Sequence, residues 1–294
     1  MTFMKKKRID SNAVDLYNEY IHGDLPRRDF LRRLAGIAGG AAAASALLPM
    51  LEPNYAYGQQ VAGDDPRLQT GYVEYPGSDG MVRAYSAGPA GQPGPLPGVL
   101  VIHENRGLNA HIEDVARRAA LAGYVALAPD GLSYAGGAPE DQEAARDLFG
   151  QSDRGRITED VMAGVPYLAA REDCSGRVGT VGFCYGGGVA LLCAARESAV
   201  AASVCFYGRP LDAEDVAKVS VPLMMHYAGK DSRINASIPA FRALLDEYEV
   251  AYSLHMYPGT GHGFHNDSSA ARYDAEAAGL AWQRTLALFA NSLD

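Results

Sequence analysis

The stretch that decides the fold is VGTVGFCYGGG, residues 178–188. A short β-rich run ends at Cys184, and the apolar run VALLCAA soon after it is long enough to open a helix. Glycines two residues before and two residues after the cysteine give the pattern G-x-C-x-G, the cysteine version of the G-x-S-x-G elbow. The central residue of such a turn has a strained backbone, and side chains at the flanking glycines would collide with the neighbouring strand and helix. The stretch therefore predicts a strand, a tight turn and a helix, with the sulfur near a helix N-terminus that favours a thiolate.

Outward from this turn, β-rich runs alternate with helical patterns from residue 70 onward. The alternation predicts a mostly parallel, doubly wound α/β sheet with helices on both faces. The predicted strands are a hairpin of residues 71–76 and 81–87, and then residues 98–104, 124–130, 178–183, 199–208, 221–229 and 251–259. The predicted helices are residues 110–122, 139–149, 157–171, 212–218, 236–248 and 270–291, besides the one that follows Cys184.

Composition limits the partners. The chain has 294 residues, is 48% hydrophobic and carries a net charge of −9. Its first 33 residues hold eight Lys/Arg against five Asp/Glu, so the rest of the chain is strongly acidic. An acidic body argues against nucleic acid and against anionic membrane surfaces as partners.

The N-terminus resembles an export leader. PRRDFLR at residues 26–32 resembles a twin-arginine signal, an apolar run covers residues 34–51, and a small-x-small site follows at 56–58. We therefore expect residues 1–58 to be a leader and residues 59–294 to be the functional domain of a periplasmic protein. The apolar run is rich in Gly and Ala, which makes a stable membrane anchor a poor interpretation. The alternative is a cytoplasmic protein with retained N-terminal helices, because residues 11–22 have an amphipathic pattern after a Ser cap.

Four polar residues fall where predicted strands end, which is where chemistry is found in a parallel sheet. They are Glu104, Cys184, Asp231 and His262. The last three follow the chain order nucleophile, acid, base of a hydrolase triad. Glycines on both sides of His262 suit a ring that approaches a sulfur, so we prefer it to His265 as the base.

Simpler interpretations remain open for some of these residues. Asp231 could be a turn residue or a helix cap, and Glu104 could cap the helix that follows it. Cys193 and Cys205 lie in apolar runs and are interpreted as buried thiols. No spacing indicates a zinc site or a disulfide framework, so we expect neither a metal nor a cofactor.

Residues 71–291 resemble the dienelactone hydrolase family of α/β hydrolases. The resemblance implies the α/β-hydrolase fold and a triad of Cys184, His262 and Asp231. It implies that Glu104 holds the thiol in the resting enzyme, and that the backbone N–H groups of Asn105 and Tyr185 form an oxyanion hole. The segments that carry the resemblance are IHENRGLN (102–109), LAPD (127–130), GFCYGGG (182–188), AGKD (228–231) and HGF (262–264).

The family's substrate does not carry over as well as its triad. Its members place arginines after the Ala-Pro-Asp strand and after the histidine, whereas this chain reads GLSYAGGAP and GFHND there. Arg106 and Arg233 lie near the expected site, with no role assigned. We expect hydrolysis of a small lactone or an activated ester through a thioester acyl-enzyme. A peroxide-responsive thiol protein and a binding protein without turnover are the alternatives, and the oligomeric state stays open.

Overall fold

The computed structural model describes residues 9–23, 25–55, 58–92 and 94–293. Its centre is one sheet of eight strands: β1 Leu68–Pro76, β2 Met81–Pro89, β3 Leu96–Ile102, β4 Val125–Pro129, β5 Cys174–Phe183, β6 Val200–Phe206, β7 Leu223–Ala228 and β8 Tyr252–Tyr257. The spatial order is β1-β2-β4-β3-β5-β6-β7-β8. Strand β2 is antiparallel to both β1 and β4, and every other neighbouring pair is parallel.

Helices cover both faces of this sheet. The helices of the described residues are α1 Ser11–His22, α2 Arg27–Ala38, α3 Ala41–Leu51, α4 Ala110–Leu121, α5 Gln142–Gln151, α6 Arg154–Met162, α7 Gly164–Ala169, α8 Tyr185–Arg196, α9 Ala213–Val216, α10 Ser232–Asn235, α11 Ile238–Glu247 and α12 Ala275–Ser292. Helices α4 and α12 share one apolar core with the sheet, whereas α6, α7, α8 and α11 share the other. The predicted mostly parallel, doubly wound α/β-hydrolase architecture is confirmed.

Two predicted helices differ from the structure. The helix expected over 157–171 is divided into α6 and α7, because Pro166 has no N–H to continue the helical hydrogen bonds across the joint. The C-terminal helix, expected from about residue 270, begins at Ala275 after the cap Asp274, whose side chain accepts from the Ala277 N–H. The residues before this cap form turns that carry part of the candidate site.

The turn after β5 has the geometry that its glycines predict. Cys184 has a φ of 55°, which L-residues rarely adopt. A Cβ at Gly182 would lie 1.8 Å from the carbonyl oxygen of Gly186, and a Cβ at Gly186 would lie 2.4 Å from that of Ile102. The backbone segments therefore touch, and no side chain larger than hydrogen fits at either position.

Helices α1, α2 and α3 lie outside the sheet and form an apolar cluster of their own. Helix α1 is capped by Asp10, which accepts from the Asn12 N–H, and not by the expected serine. The cluster is joined to the domain: the Tyr20 hydroxyl donates to Glu143 at 2.7 Å, and the Asn54 N–H donates to the Ser268 carbonyl at 2.7 Å.

The N-terminal helices can be compared with a membrane span. Within the described ranges no single helix is long and apolar enough to cross a membrane, and α2 and α3 pass that test only as a pair bent by 107°. Two residues of the expected cleavage site, 56 and 57, lie outside the described residues. Cleavage of residues 1–58, export and a periplasmic location stay predictions.

Candidate active site

The four strand-end residues meet at one edge of the sheet. Glu104 follows β3, Cys184 follows β5, Asp231 follows β7 and His262 follows β8, and all four side chains are buried or nearly so. One oxygen of Asp231 lies 2.5 Å from Nδ1 of His262, and the other accepts from the N–H of Ile234 at 3.3 Å. The carboxylate therefore caps α10 and orients the imidazole at the same time, so the two interpretations of Asp231 are compatible.

The imidazole of His262 lies between this carboxylate and the sulfur. One of its ring nitrogens is within 4.8 Å of Cys184 Sγ, and Nε2 has no hydrogen-bond partner among the described residues. Burial lowers the pKa of His262, but the negative charge of Cys184 and the hydrogen bond to Asp231 outweigh it and raise the pKa to about 9. The surroundings of His262 therefore favour its protonated form at neutral pH.

Glu104 has partners other than the thiol in this structure, and its expected role of holding the thiol in the resting enzyme stays a prediction. Its carboxylate accepts from Asn266 Nδ2 at 2.8 Å and from the Tyr207 hydroxyl at 3.5 Å, and no described hydrogen bond joins it to Cys184. Burial raises the pKa of Glu104, but nearby positive groups, Arg272 first among them, lower it further than burial raises it. The carboxylate is thus a buried anion that already has partners, which leaves the sulfur to other groups.

The two predicted oxyanion donors belong to the cavity that contains the sulfur. Asn105 and Tyr185 both line the cavity in front of Cys184, and neither backbone N–H donates to another described residue. The Asn105 side chain instead donates to the carbonyl of Ile21 at 2.9 Å, which joins this loop to α1. Free N–H groups beside a nucleophile are what an oxyanion requires, so their oxyanion role stays a prediction consistent with this geometry.

His265, the competing base, faces the core instead of the sulfur. Its ring stacks on Phe183 at a centroid distance of 4.9 Å and contacts Trp282 at 5.9 Å. Burial, the first of several causes, lowers its pKa well below the ordinary value. The chain therefore places His262, and not its neighbour, next to Cys184.

Sequence reasoning missed two residues of the site. His22, at the end of α1, has its Nδ1 3.8 Å from Cys184 Sγ and its ring 4.3 Å from that of His262. Tyr207 follows β6 with a φ of 41°, and its ring lies 4.9 Å from that of His262. The strand-end position of Tyr207 was a usable signal, whereas nothing in the sequence relates His22 to a turn that lies far along the chain.

A cavity of about 940 Å³ opens in front of the sulfur, between α1 on one side and α5, α6 and α8 on the other. Arg154, Arg209 and Arg233 line it, and none of them pairs with a carboxylate of the described residues. Arg106 does not line the cavity; it donates to the Tyr17 hydroxyl of α1 at 3.2 Å. The cavity is therefore a concave, positively charged site large enough for a small organic substrate.

One group of side chains has the donor types of a metal site. Single donor atoms of His22, Cys184 and His262 lie within 4.8 Å of one another, and nitrogen and sulfur donors suit Zn²⁺. A metal there would have to displace the proton that His262 keeps up to a pH of about 9. The arrangement suits acid–base chemistry at a thiol better than metal ligation.

Comparisons with known proteins match most of the chain. The sequence model of the Dienelactone hydrolase family matches residues 82–293, and a second model, described as YqhI-like, matches residues 1–40.

An Escherichia coli (strain K12) protein named "Putative hydrolase fragment YghX" is 52% identical over 112 residues, which are 37% of this chain and 96% of that protein. A "Putative carboxymethylenebutenolidase" of Methylorubrum extorquens is 33% identical over 76% of this chain and 81% of its own length. The crystal structure of a "Putative Dienelactone Hydrolase" from Klebsiella pneumoniae superposes with a TM-score of 0.68 at 28% identity, covering 76% of this chain and 98% of that one.

The proton on His262 gives the first prediction. Asp231→Asn removes a carboxylate that raises the pKa of this imidazole, so its pKa should fall from about 9 toward the ordinary value of roughly 6.5. The protonated ring, present below about pH 9 in the wild type, should then be lost at a lower pH. Histidine-labelled NMR titration measures this directly. An unchanged titration of His262 in the Asn variant would contradict the assigned pair.

Proposed function

The chain belongs to the dienelactone hydrolase family, and we propose that it hydrolyses small lactones or activated esters with Cys184 as the nucleophile. Family membership supports a hydrolase of ester bonds; the cysteine nucleophile and the thioester intermediate are our proposal. One observation carries it. A strained, glycine-flanked turn presents the sulfur beside an imidazole whose far nitrogen is 2.5 Å from a buried carboxylate.

The first half of the reaction forms a thioester. The attacking form is the Cys184 thiolate, whose proton is already on Nε2 of His262, and the sulfur attacks the carbonyl carbon. The backbone N–H groups of Asn105 and Tyr185 hold the oxyanion, each contributing roughly 3 kcal/mol by analogy with measured donors. The C–O bond then breaks as the protonated imidazole gives its proton to the leaving oxygen.

The second half depends on a change in the proton affinity of His262. The charge of Cys184 is a main cause of its raised pKa. Acylation removes that charge, so the pKa of the imidazole falls and the neutral ring becomes a base for water. Water attacks the thioester and gives a proton to His262. The C–S bond then breaks, which releases the acid product and regenerates the Cys184 thiolate. His262 thus carries the thiol proton, donates it to the leaving oxygen and then acts as the base for water.

Lactones and enol or aryl esters suit this centre better than alkyl esters. A thiolate leaves a tetrahedral intermediate more readily than an alkoxide, so an alkyl ester returns to substrate. An enol or phenol oxygen is a better leaving group than an alkoxide, so with these esters the tetrahedral intermediate goes on to the thioester. The name of the Methylorubrum extorquens relative, a carboxymethylenebutenolidase, points to an unsaturated lactone, which has such a leaving group.

The charge of the cavity favours an anionic substrate. Three arginines without carboxylate partners among the described side chains face the space before Cys184, although none stands where the family resemblance places its arginines. The side chain of Arg154 packs over the Phe149 ring at 3.9 Å, and burial lowers its pKa. A guanidinium with no carboxylate partner gains a charge-assisted hydrogen bond when a carboxylate binds.

The nucleophile is tested by removing the sulfur. Cys184→Ala should abolish turnover of an activated aryl ester and of an unsaturated lactone, because no other described thiol lies at the cavity. Cys174→Ala is the matched control, since this buried free thiol begins β5 at the opposite end from the elbow and should leave turnover at the wild-type rate. Turnover that survives in the Cys184 variant, measured as hydrolysis of either substrate, would contradict the proposed function.

The anionic preference predicts a split between substrates. Arg154→Gln and Arg233→Gln should each raise the KM for a carboxylate-bearing lactone about tenfold, a loss typical of a hydrogen bond to a charged group. The KM for a neutral ester of similar size should change little. Arg242→Gln, an exposed arginine of α11, is the control. Equal effects on both substrates would show that the arginines act on structure and not on charge recognition.

A further inference from the structure

Helix α1 brings an imidazole onto the nucleophile from outside the region that matches the family. His22 Nδ1 is the hydrogen-bond partner of Cys184 Sγ among the described side chains, at 3.8 Å. We propose that His22 is a catalytic residue of this enzyme: its Nδ1–H donates to the Cys184 sulfur and stabilises the charge that forms there, so that α1 completes the active site. The inference rests on the cysteine nucleophile proposed above.

The geometry separates His22 from an ordinary surface residue. Its ring meets the ring of His262 edge-on, with centroids 4.3 Å apart and planes at 63°. Its other nitrogen, Nε2, is buried and has no partner among the described residues. A buried polar atom without a hydrogen-bond partner costs free energy. A histidine placed only to end a helix would not need to bear this cost, which favours a functional role for the ring.

The surroundings of His22 keep its imidazole neutral. Burial lowers its pKa well below the ordinary value, and the positive charges of His262, Arg233, Arg272 and Arg106 add to the effect. A neutral imidazole has one N–H and one lone pair. With its hydrogen on Nδ1, it offers the sulfur a donor without competing for the proton.

The two imidazoles around the sulfur therefore have different tasks. When the thiol ionises, its proton passes to Nε2 of His262, and the sulfur lone pair becomes available to form the C–S bond. His22 neither gains nor loses a proton in this step. Its N–H faces a developing negative charge, and a charge-assisted hydrogen bond is stronger than one between neutral groups.

Hydrogen bonds to the domain fix the position of α1. The carbonyl of Ile21 accepts from Asn105, and the Tyr17 hydroxyl accepts from the neighbouring Arg106 at 3.2 Å. Tyr20 donates to Glu143 of α5 at 2.7 Å. The loop that holds one oxyanion donor is thus attached to the helix that holds His22, so displacement of α1 would disturb both.

The proposal requires the working enzyme to keep its N-terminal helices. His22 precedes the expected cleavage site at 56–58, so a chain cut there would lack this imidazole. The family match begins only at residue 82, and residues 1–40 match a separate model. A hydrolase domain of this family is here combined with a segment that adds one residue to the site.

The test measures the reactivity of the sulfur, not only turnover. In His22→Ala, alkylation of Cys184 by iodoacetamide at mildly acidic pH should slow about tenfold, because the thiolate loses a charge-assisted donor. Peptide mass spectrometry assigns the modified cysteine, and the fully buried Cys193 and Cys205 serve as internal references. His22→Gln should recover part of the rate, since its amide supplies an N–H donor.

Controls separate this role from a structural one. In His255→Gln, a variant of a β8 histidine that does not line the cavity, Cys184 should alkylate as it does in the wild type. If Cys184 in both His22 variants reacts at the wild-type rate while Cys184→Ala has lost turnover, the proposal fails and the proposed function stands. Turnover in Cys184→Ala would instead defeat the proposed function. Wild-type activity in a purified enzyme whose intact mass shows residues 1–58 removed would also overturn the role of His22.

Discussion

The site depends on a backbone contact at the end of β5. Gly182 and Gly186 approach so closely that a methyl group at Gly182 would lie 1.8 Å from a carbonyl oxygen. That contact forces Cys184 to a φ of 55° and points its sulfur out of the sheet, at the first turn of α8. Backbone strain of this kind costs roughly 1–3 kcal/mol and persists only where the surrounding structure enforces it. Here the apolar cores on the two faces of the sheet hold the strained turn in place.

The ionisable side chains around that sulfur differ in charge. His262, with Asp231 behind it, holds a proton up to about pH 9, whereas His22 is kept neutral by burial and by nearby positive groups. Glu104 is a buried carboxylate with its own donors, and nearby positive groups lower its pKa. The chemistry follows from these differences between similar side chains in different surroundings.

The sequence was sufficient for the fold and for the residues at strand ends, for physical reasons. Apolar runs bounded by Gly and Pro define a buried parallel sheet, and parallel strands bring their carboxyl ends to one edge, so Cys184, Asp231 and His262 could be expected together. Side-chain partners were harder to predict, because the sequence does not show that Asn266 and Tyr207 contact the carboxylate of Glu104. His22 could not be found at all, since its place depends on how α1 packs against a loop that lies far from it in sequence.

The most direct measurement is the mass of the peptide that contains Cys184, taken during turnover. Rapid acid quench of the enzyme with a slow activated ester, followed by peptide mass spectrometry, should show an acyl group on the peptide that contains Cys184. The adduct should accumulate within one turnover and disappear as substrate is exhausted. An acyl group on another residue, or hydrolysis with no covalent adduct at any time, would contradict the central claim that this sulfur is the nucleophile.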